Sequence, residues 1–242
     1  MCLITQGHAK GCAFTVGGIK KLYATNLDWI DSWTEATDET YSAVTMVGFA
    51  ITDVTIGAGA VFEAIGHDFQ VGDLVFINGT LVTLGPASVI GQHEITAVTS
   101  TTFTIGALTT TGTFTTETLT ADRGWFEFQF DKATSSVSGD FTVSNGNRFF
   151  TQTALVQITP ANNDTRKIVR QLALGYTVWA AECNDGTTKI FFDENGGQPT
   201  AIPFTSGVAA GDFAGFNVTV TGEEDDPFRI YDGLAPLPVF AL

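Results

Sequence analysis

Apolar and polar residues alternate with period two in three runs between residues 125 and 158. Phe126, Phe128 and Phe130 fall on one face of an extended segment. Phe141 and Val143 repeat the pattern, and Ala154, Val156 and Ile158 repeat it again. Side chains alternate across a strand, so each run has one apolar and one polar face. Ser138-Gly139-Asp140 and Asn145-Gly146-Asn147 supply turn residues between the runs. The pattern predicts a three-stranded antiparallel meander. Its polar face would hold Glu127, Gln129, Asp131, Thr142 and Ser144.

Strands are also expected at 19–24, where apolar and basic groups alternate, and at 44–56, 102–105, 176–183, 189–192 and 217–222, with Asn184-Asp185-Gly186 turning one hairpin. Residues 26–33 read as a loop anchored by Trp29 and Trp33, whose spacing of four also permits a helical turn, and 35–43 as an exposed acidic loop. Only 163–175 has a helical period. Ile168, Val169 and Leu172 form an apolar stripe there, Asn163 or Asp164 is placed to cap the start, and Gly175 is placed to end it. The exposed side of that helix carries Arg166, Lys167 and Arg170, which fits a solvated face or a docking face for an acidic neighbour. The acids 223–226 read as gatekeeper charges after a strand, and Pro227, Pro236 and Pro238 mark a tail that resists regular structure.

Composition changes between residues 58 and 121, which contain no Lys or Arg and are rich in Thr, Val, Ile and Gly. Short strands at close spacing there predict a small inserted all-β barrel, with Asn78-Gly79 as one of its turns. Residues 1–57 and 122–242 would then form one discontinuous host domain. The stretches 57–60 and 121–124 read as hinges.

Twenty Phe against two Met point to an aromatic, β-type core. Twenty-six acidic against 11 basic residues give a net charge of −15. That argues against a protein that reads nucleic acid through a basic patch. It permits a conduit for DNA, because an acidic wall repels phosphates. Cys2, Cys12 and Cys183 are an odd count without paired spacing. His8, His67 and His93 do not cluster with them, so neither a disulfide framework nor a metal site is expected. Signal-peptide and membrane-helix patterns are absent from the sequence. No nucleophile elbow, phosphate loop or dinucleotide turn occurs, and Asp193-Glu194-Asn195-Gly196 lacks calcium-loop spacing. The expectation is a structural protein without catalytic residues or cofactors.

Several landmarks together resemble a major tail protein (tail-tube) family of tailed bacteriophages, of the kind found in phages of Bacteroidetes. They are Gly11-Cys12, the run from Gly17 through Asn26, Ile51-Thr52-Asp53-Val54, Trp125 to Lys132, Arg166 to Leu174, and Ser206-Gly207 through Glu223. The likeness spans most of 7–57 and 124–226, and the stretch 58–121 departs from it. The resemblance implies an antiparallel β-sandwich or barrel with one flanking helix, assembled as stacked hexameric rings. DNA would pass through the rings without specific binding. It also implies other tail proteins as partners, assembly in the host cytoplasm, a lumen wall at Glu127, Gln129, Asp131, Thr142 and Ser144, and an inter-ring arm within 35–56. The alternatives are a head–tail connector, a capsid decoration or baseplate protein, or a carbohydrate-binding β-sandwich adhesin.

Overall fold

The computed structural model describes residues 18–36, 38–55, 57–80, 89–110, 118–130, 134–159, 161–206, 212–233 and 236–240. In chain order the strands begin with Ile19–Asn26 (β1), Ile30–Glu35 (β2), Tyr41–Met46 (β3), Gly48–Ile51 (β4), Asp53–Thr55 (β5) and Gly57–Glu63 (β6). Leu74–Thr80 (β7), Gly91–Glu94 (β8), Ala97–Val98 (β9), Thr102–Thr110 (β10) and Thr118–Asp122 (β11) follow. Next come Trp125–Phe128 (β12), Ser136–Ser144 (β13), Asn147–Ile158 (β14) and the helix Asn163–Leu172 (α1). Thr177–Cys183 (β15), Thr188–Phe191 (β16), Gln198–Ala201 (β17), Phe204–Thr205 (β18), Gly215–Glu224 (β19), Arg229–Tyr231 (β20) and Val239–Phe240 (β21) complete the set. The fold is mainly β, with one α-helix among the described residues.

An eight-stranded sheet runs β2-β3-β20-β16-β15-β1-β12-β21. Both of its faces are covered, which explains why Val178, Trp179, Ala180 and Ala181 are a continuous apolar run, each fully buried. Leu22, Ala24, Trp179, Ala181 and Phe191 pack against Ala154, Val156, Val218 and Val220 of a five-stranded sheet, β13-β14-β19-β17 with β18 beside β19. Val169 and Leu172 of α1 join the same core. The opposite face holds Tyr23, Trp125, Val178, Ala180 and Ile190 with Tyr41, Met46, Tyr231 and Leu237. The sheet curls around this second core, because Trp33 of β2 reaches Trp125 of β12 with ring centroids 6.3 Å apart. Full burial of each large apolar side chain contributes roughly 1.5–3 kcal/mol, more than a surface ion pair.

Residues 48–122 make two four-stranded sheets, β4-β11-β7-β8 and β5-β6-β10-β9, over their own core of Ile51, Val54, Phe62, Val75, Ile77, Phe103, Ile105 and Leu119. β4 and β5 are separated by Thr52 alone, so one extended segment passes from the first sheet to the second. The unit therefore starts at Gly48, paired with Asp122, rather than at residue 58.

Several expectations are corrected. β12 pairs with β1 and β21 rather than with β13, so the meander reduces to the β13–β14 hairpin. β13 runs straight through Ser138-Gly139-Asp140. A Cβ on Gly139 would lie 2.4 Å from the Pro227 carbonyl oxygen, so the residue is glycine for close approach and not for a turn. Gly57–Glu63 and Asn78-Gly79 are strand, not hinge and turn, and the proline-containing tail contributes β20 and β21. Residues 30–35 form β2 after a short turn of 3-10 helix, in place of the expected loop. Within 35–56, the stretch expected to hold an inter-ring arm, residues 41–55 pair with other strands of the chain. The helix is capped by Asn162, whose side chain accepts from the Thr165 backbone N–H at 2.8 Å, and it ends at Ala173 without a left-handed glycine.

Candidate assembly surfaces

The β13–β14 hairpin is turned by Asn145 and Gly146, with φ of 51° and 86°, the left-handed pair of a type I′ turn. Its register places Val137, Gly139, Phe141 and Val143 opposite Ala154, Gln152, Phe150 and Arg148. Directly opposed residues share a face, so all eight lie on the face that forms the core. Near the body that face is closed, with Ala154 and Gln152 fully buried. Toward the tip it is uncovered: Phe141 is 59% and Val143 61% exposed. Phe141 and Phe150 meet edge to face at 5.5 Å, and Arg148 flanks them on the exposed turn side. β13 also ends the order of its sheet, so among the described residues no strand pairs with its outer edge.

Gln152 fastens the hairpin. Its Nε2 donates to the Asp226 carbonyl at 2.8 Å and its Oε1 accepts from the Phe192 N–H at 2.6 Å. Phe192 holds φ at 63°, unusual for a bulky residue, and is fully buried. Beside it lies an acidic cluster. Glu224, 2% exposed, accepts from the Asn195 backbone N–H at 3.0 Å. Burial, with help from Asp193 and Glu194, pushes its carboxyl up to about 7. Burial likewise raises Asp193, which accepts from the Tyr41 hydroxyl, and burial and that carboxylate push the Tyr41 phenol up. Arg229 answers the cluster, pairing with Asp226 at 2.8 Å and Glu194 at 3.7 Å. The acids of 223–226 are thus not all solvated charges. Val218, Val220, Gly222 and Glu224 share one parity, which is the sequence signal that Glu224 points inward.

Arg123 joins the 48–122 unit to the rest. It is 3% exposed and donates to Asp68 at 2.7 Å and to Asp73 at 3.0 Å. Its guanidinium lies 4.5 Å from the Trp29 ring centroid and 4.4 Å from that of Phe69. A planar cation set against two rings and bonded to two carboxylates fixes orientation as well as charge.

The structure divides the expected lumen wall. Glu127 lies on β12 of the eight-stranded sheet and pairs with Lys21 at 3.4 Å. Gln129 follows that strand and is exposed. Thr142 and Ser144 lie on β13 of the other sheet, where Thr142 bonds Thr151 at 2.9 Å. They share no sheet face with Glu127, because β12 is not a neighbour of β13. Asp131, Lys132, Cys2, His8, Gly11, Cys12 and residues 207–211 lie outside the described residues.

On α1, Thr165, Val169 and Leu172 face inward, while Arg166, Lys167 and Arg170 are exposed as expected. Ile168, expected in the stripe, is 43% exposed, and Leu174 just beyond the helix is 80% exposed. Cys183 is a free thiol raised by burial. Among the described residues no group of three or more His, Cys, Asp and Glu could hold a metal ion, and no helix is long and apolar enough to cross a membrane.

Comparison with known proteins finds no matching family model, no curated relative and no matching solved structure.

Proposed function

We propose that this chain is a structural virion protein, the tail-tube subunit of a tailed bacteriophage, building stacked hexameric rings that conduct DNA during ejection. The observation that supports this reading is the β13–β14 hairpin. It combines a sheet edge that no described strand covers with the apolar pair Phe141 and Val143 on a face that is core elsewhere. An exposed edge with apolar side chains invites pairing with another chain. Contact between unlike surfaces of identical copies closes into rings or continues as a filament. The net charge of −15 suits a conduit that holds DNA weakly.

On this reading the partners are further copies of the chain and other tail proteins, in a virion assembled in the host cytoplasm. DNA passes without specific binding, and neither cofactor nor catalytic step is involved. Sedimentation velocity of the purified protein across a concentration series tests it. Growth to a closed species of six copies or to longer polymers is expected, with no retention on double-stranded DNA at physiological salt. A persistent monomer that binds glycans would sink the reading in favour of an adhesin.

A further inference from the structure

Gln152 grips two backbone groups, and both lie beside Glu224. Phe192, whose N–H it accepts, opens the segment 192–195, and Asp226, to whose carbonyl it donates, follows the end of β19 by two residues. Phe192 is wedged in place. A Cβ on Gly222 of β19 would lie 2.7 Å from its ring, and so would a Cβ on Gly197. Its φ of 63° is a strained value for a bulky residue, and such a backbone persists only while its surroundings impose it. Glu224 is part of those surroundings, because its carboxylate accepts from the Asn195 backbone N–H at 3.0 Å and from the Asn195 side chain at 3.4 Å.

The charged groups around Glu224 are mostly of its own sign. Asp193 and Glu194 come from the segment 192–195, Asp225 and Asp226 from the chain beyond β19, Tyr41 from β3 and Glu35 from β2. Arg229 of β20 is engaged by Asp226 at 2.8 Å, Glu194 at 3.7 Å and Glu35 at 3.9 Å. On β14, Phe150 stands opposite Glu224, and Arg148 is exposed beside the hairpin turn. A protonated Glu224 rests in this closed site without repulsion. An ionised one faces Asp193 and Glu194 out of reach of water, where a charge is costly.

We infer that Glu224 is a proton-operated catch on the β13–β14 hairpin: protonated, it holds the segment 192–195 in the shape that Gln152 grips, and ionised, it lets that segment and the hairpin loosen together. The hairpin carries the Phe141 and Val143 tip, so the catch also regulates association, a consequence that rests on the self-assembly reading. A loosened hairpin must be ordered again on contact, which weakens binding. Association is then stronger at pH 6 than at pH 8. The carboxyl titrates at about 7 in the closed form and at the ordinary 4.5 once water reaches it. Between pH 6 and pH 8 the open form therefore gains about tenfold on the closed one.

Amide hydrogen exchange on dilute protein at pH 6 and pH 8, corrected for the intrinsic exchange rate, tests the catch apart from assembly. Protection along β14, residues 147–158, should fall about tenfold at pH 8 relative to pH 6, while β1 and β15 of the other sheet hold steady. Glu224→Gln should keep the hairpin protected at both pH values. Gln152→Met cuts the link but leaves the acids, and should leave the hairpin weakly protected at both. Sedimentation velocity across a concentration series then reads association. The wild-type midpoint should move several-fold higher at pH 8, and that of Glu224→Gln should not. Hairpin protection without pH dependence, or a dependence that Glu224→Gln retains, would overturn the catch. So would equal loosening of β1 and β15, the mark of global unfolding. Assembly equal at both pH values while the hairpin loosens would overturn its regulatory role. A chain that stays monomeric at both, yet whose hairpin loosens through Glu224, would uphold the catch and remove the self-assembly reading.

Discussion

Replacing Glu224 by Gln should make the protein more stable at pH 8 and slightly less stable at pH 4.5. The carboxyl is 2% exposed, and burial together with Asp193 and Glu194 lifts it from the ordinary 4.5 to about 7. Its folded value lies above its unfolded value. Its contribution is therefore fully present below pH 4.5, is lost as pH rises toward 7, and stays lost above 7. Each tenfold change in proton affinity corresponds to about 1.4 kcal/mol, so ionising Glu224 in the folded state costs about 3 kcal/mol. Gln keeps an oxygen for the Asn195 N–H but weakens the contact with the Asn195 side chain, seen at 3.4 Å, a loss of about 1 kcal/mol. The net gain at pH 8 is then about 2 kcal/mol. Urea unfolding followed by tryptophan fluorescence at pH 4.5, 6, 7 and 8 measures it. Asp193 and Glu194 are also raised and lie beside Glu224, so the difference curve reports the substituted group together with its coupling to them. Parallel curves for the two proteins, or a Gln variant less stable than wild type at pH 8, would refute the reasoning.

Arg123→Ala should lower stability by about 3 kcal/mol, because it strands Asp73 and removes the cation that Trp29 and Phe69 pack against, and Arg123→Lys should recover little of the loss in a thermal melt. Gly139→Ala forces a methyl against the Pro227 backbone and should cost about 1–3 kcal/mol in urea unfolding, whereas a residue needed only for a turn would tolerate alanine. Asn162→Ala removes the helix cap and should cost about 1 kcal/mol in the same assay, with Asn163→Ala nearly neutral.

Local pattern is legible where neighbours in sequence are also neighbours in the sheet. The β15–β16 hairpin follows from two apolar runs on either side of Asn184-Asp185-Gly186, and β19 from its alternation. The helix follows from its stripe, though Asn162 rather than the next two residues caps it. Partner choice is not legible for β12, since alternation marks a strand without naming its neighbour. The observed pairing brings Trp125 into one core and Phe128 to the edge of the other, on opposite faces of the same sheet. The start of the 48–122 unit is hidden because 48–55 has the same apolar pattern as the host strands. The absence of Lys and Arg marks a composition change but no strand boundary. Arg123 sits in a stretch that reads as a hinge, since sequence does not reveal that two aspartates and two rings converge on it. The uncovered tip is the reverse case. Phe141 and Val143 fit a core pattern, and only the overhang of the hairpin beyond its partner sheet leaves them exposed.

The most direct measurement is negative-stain electron microscopy of the wild-type protein beside the Phe141→Ser, Val143→Ser double variant. The wild type should form rings of uniform bore, or tubes stacked from them. The variant should give dispersed particles with a melting temperature only slightly lowered, because the substituted side chains are 59% and 61% exposed in the single chain and only the Phe141–Phe150 ring contact is lost. Isolated single-chain particles for both proteins, under conditions where the wild type is folded and concentrated, would contradict a tube subunit.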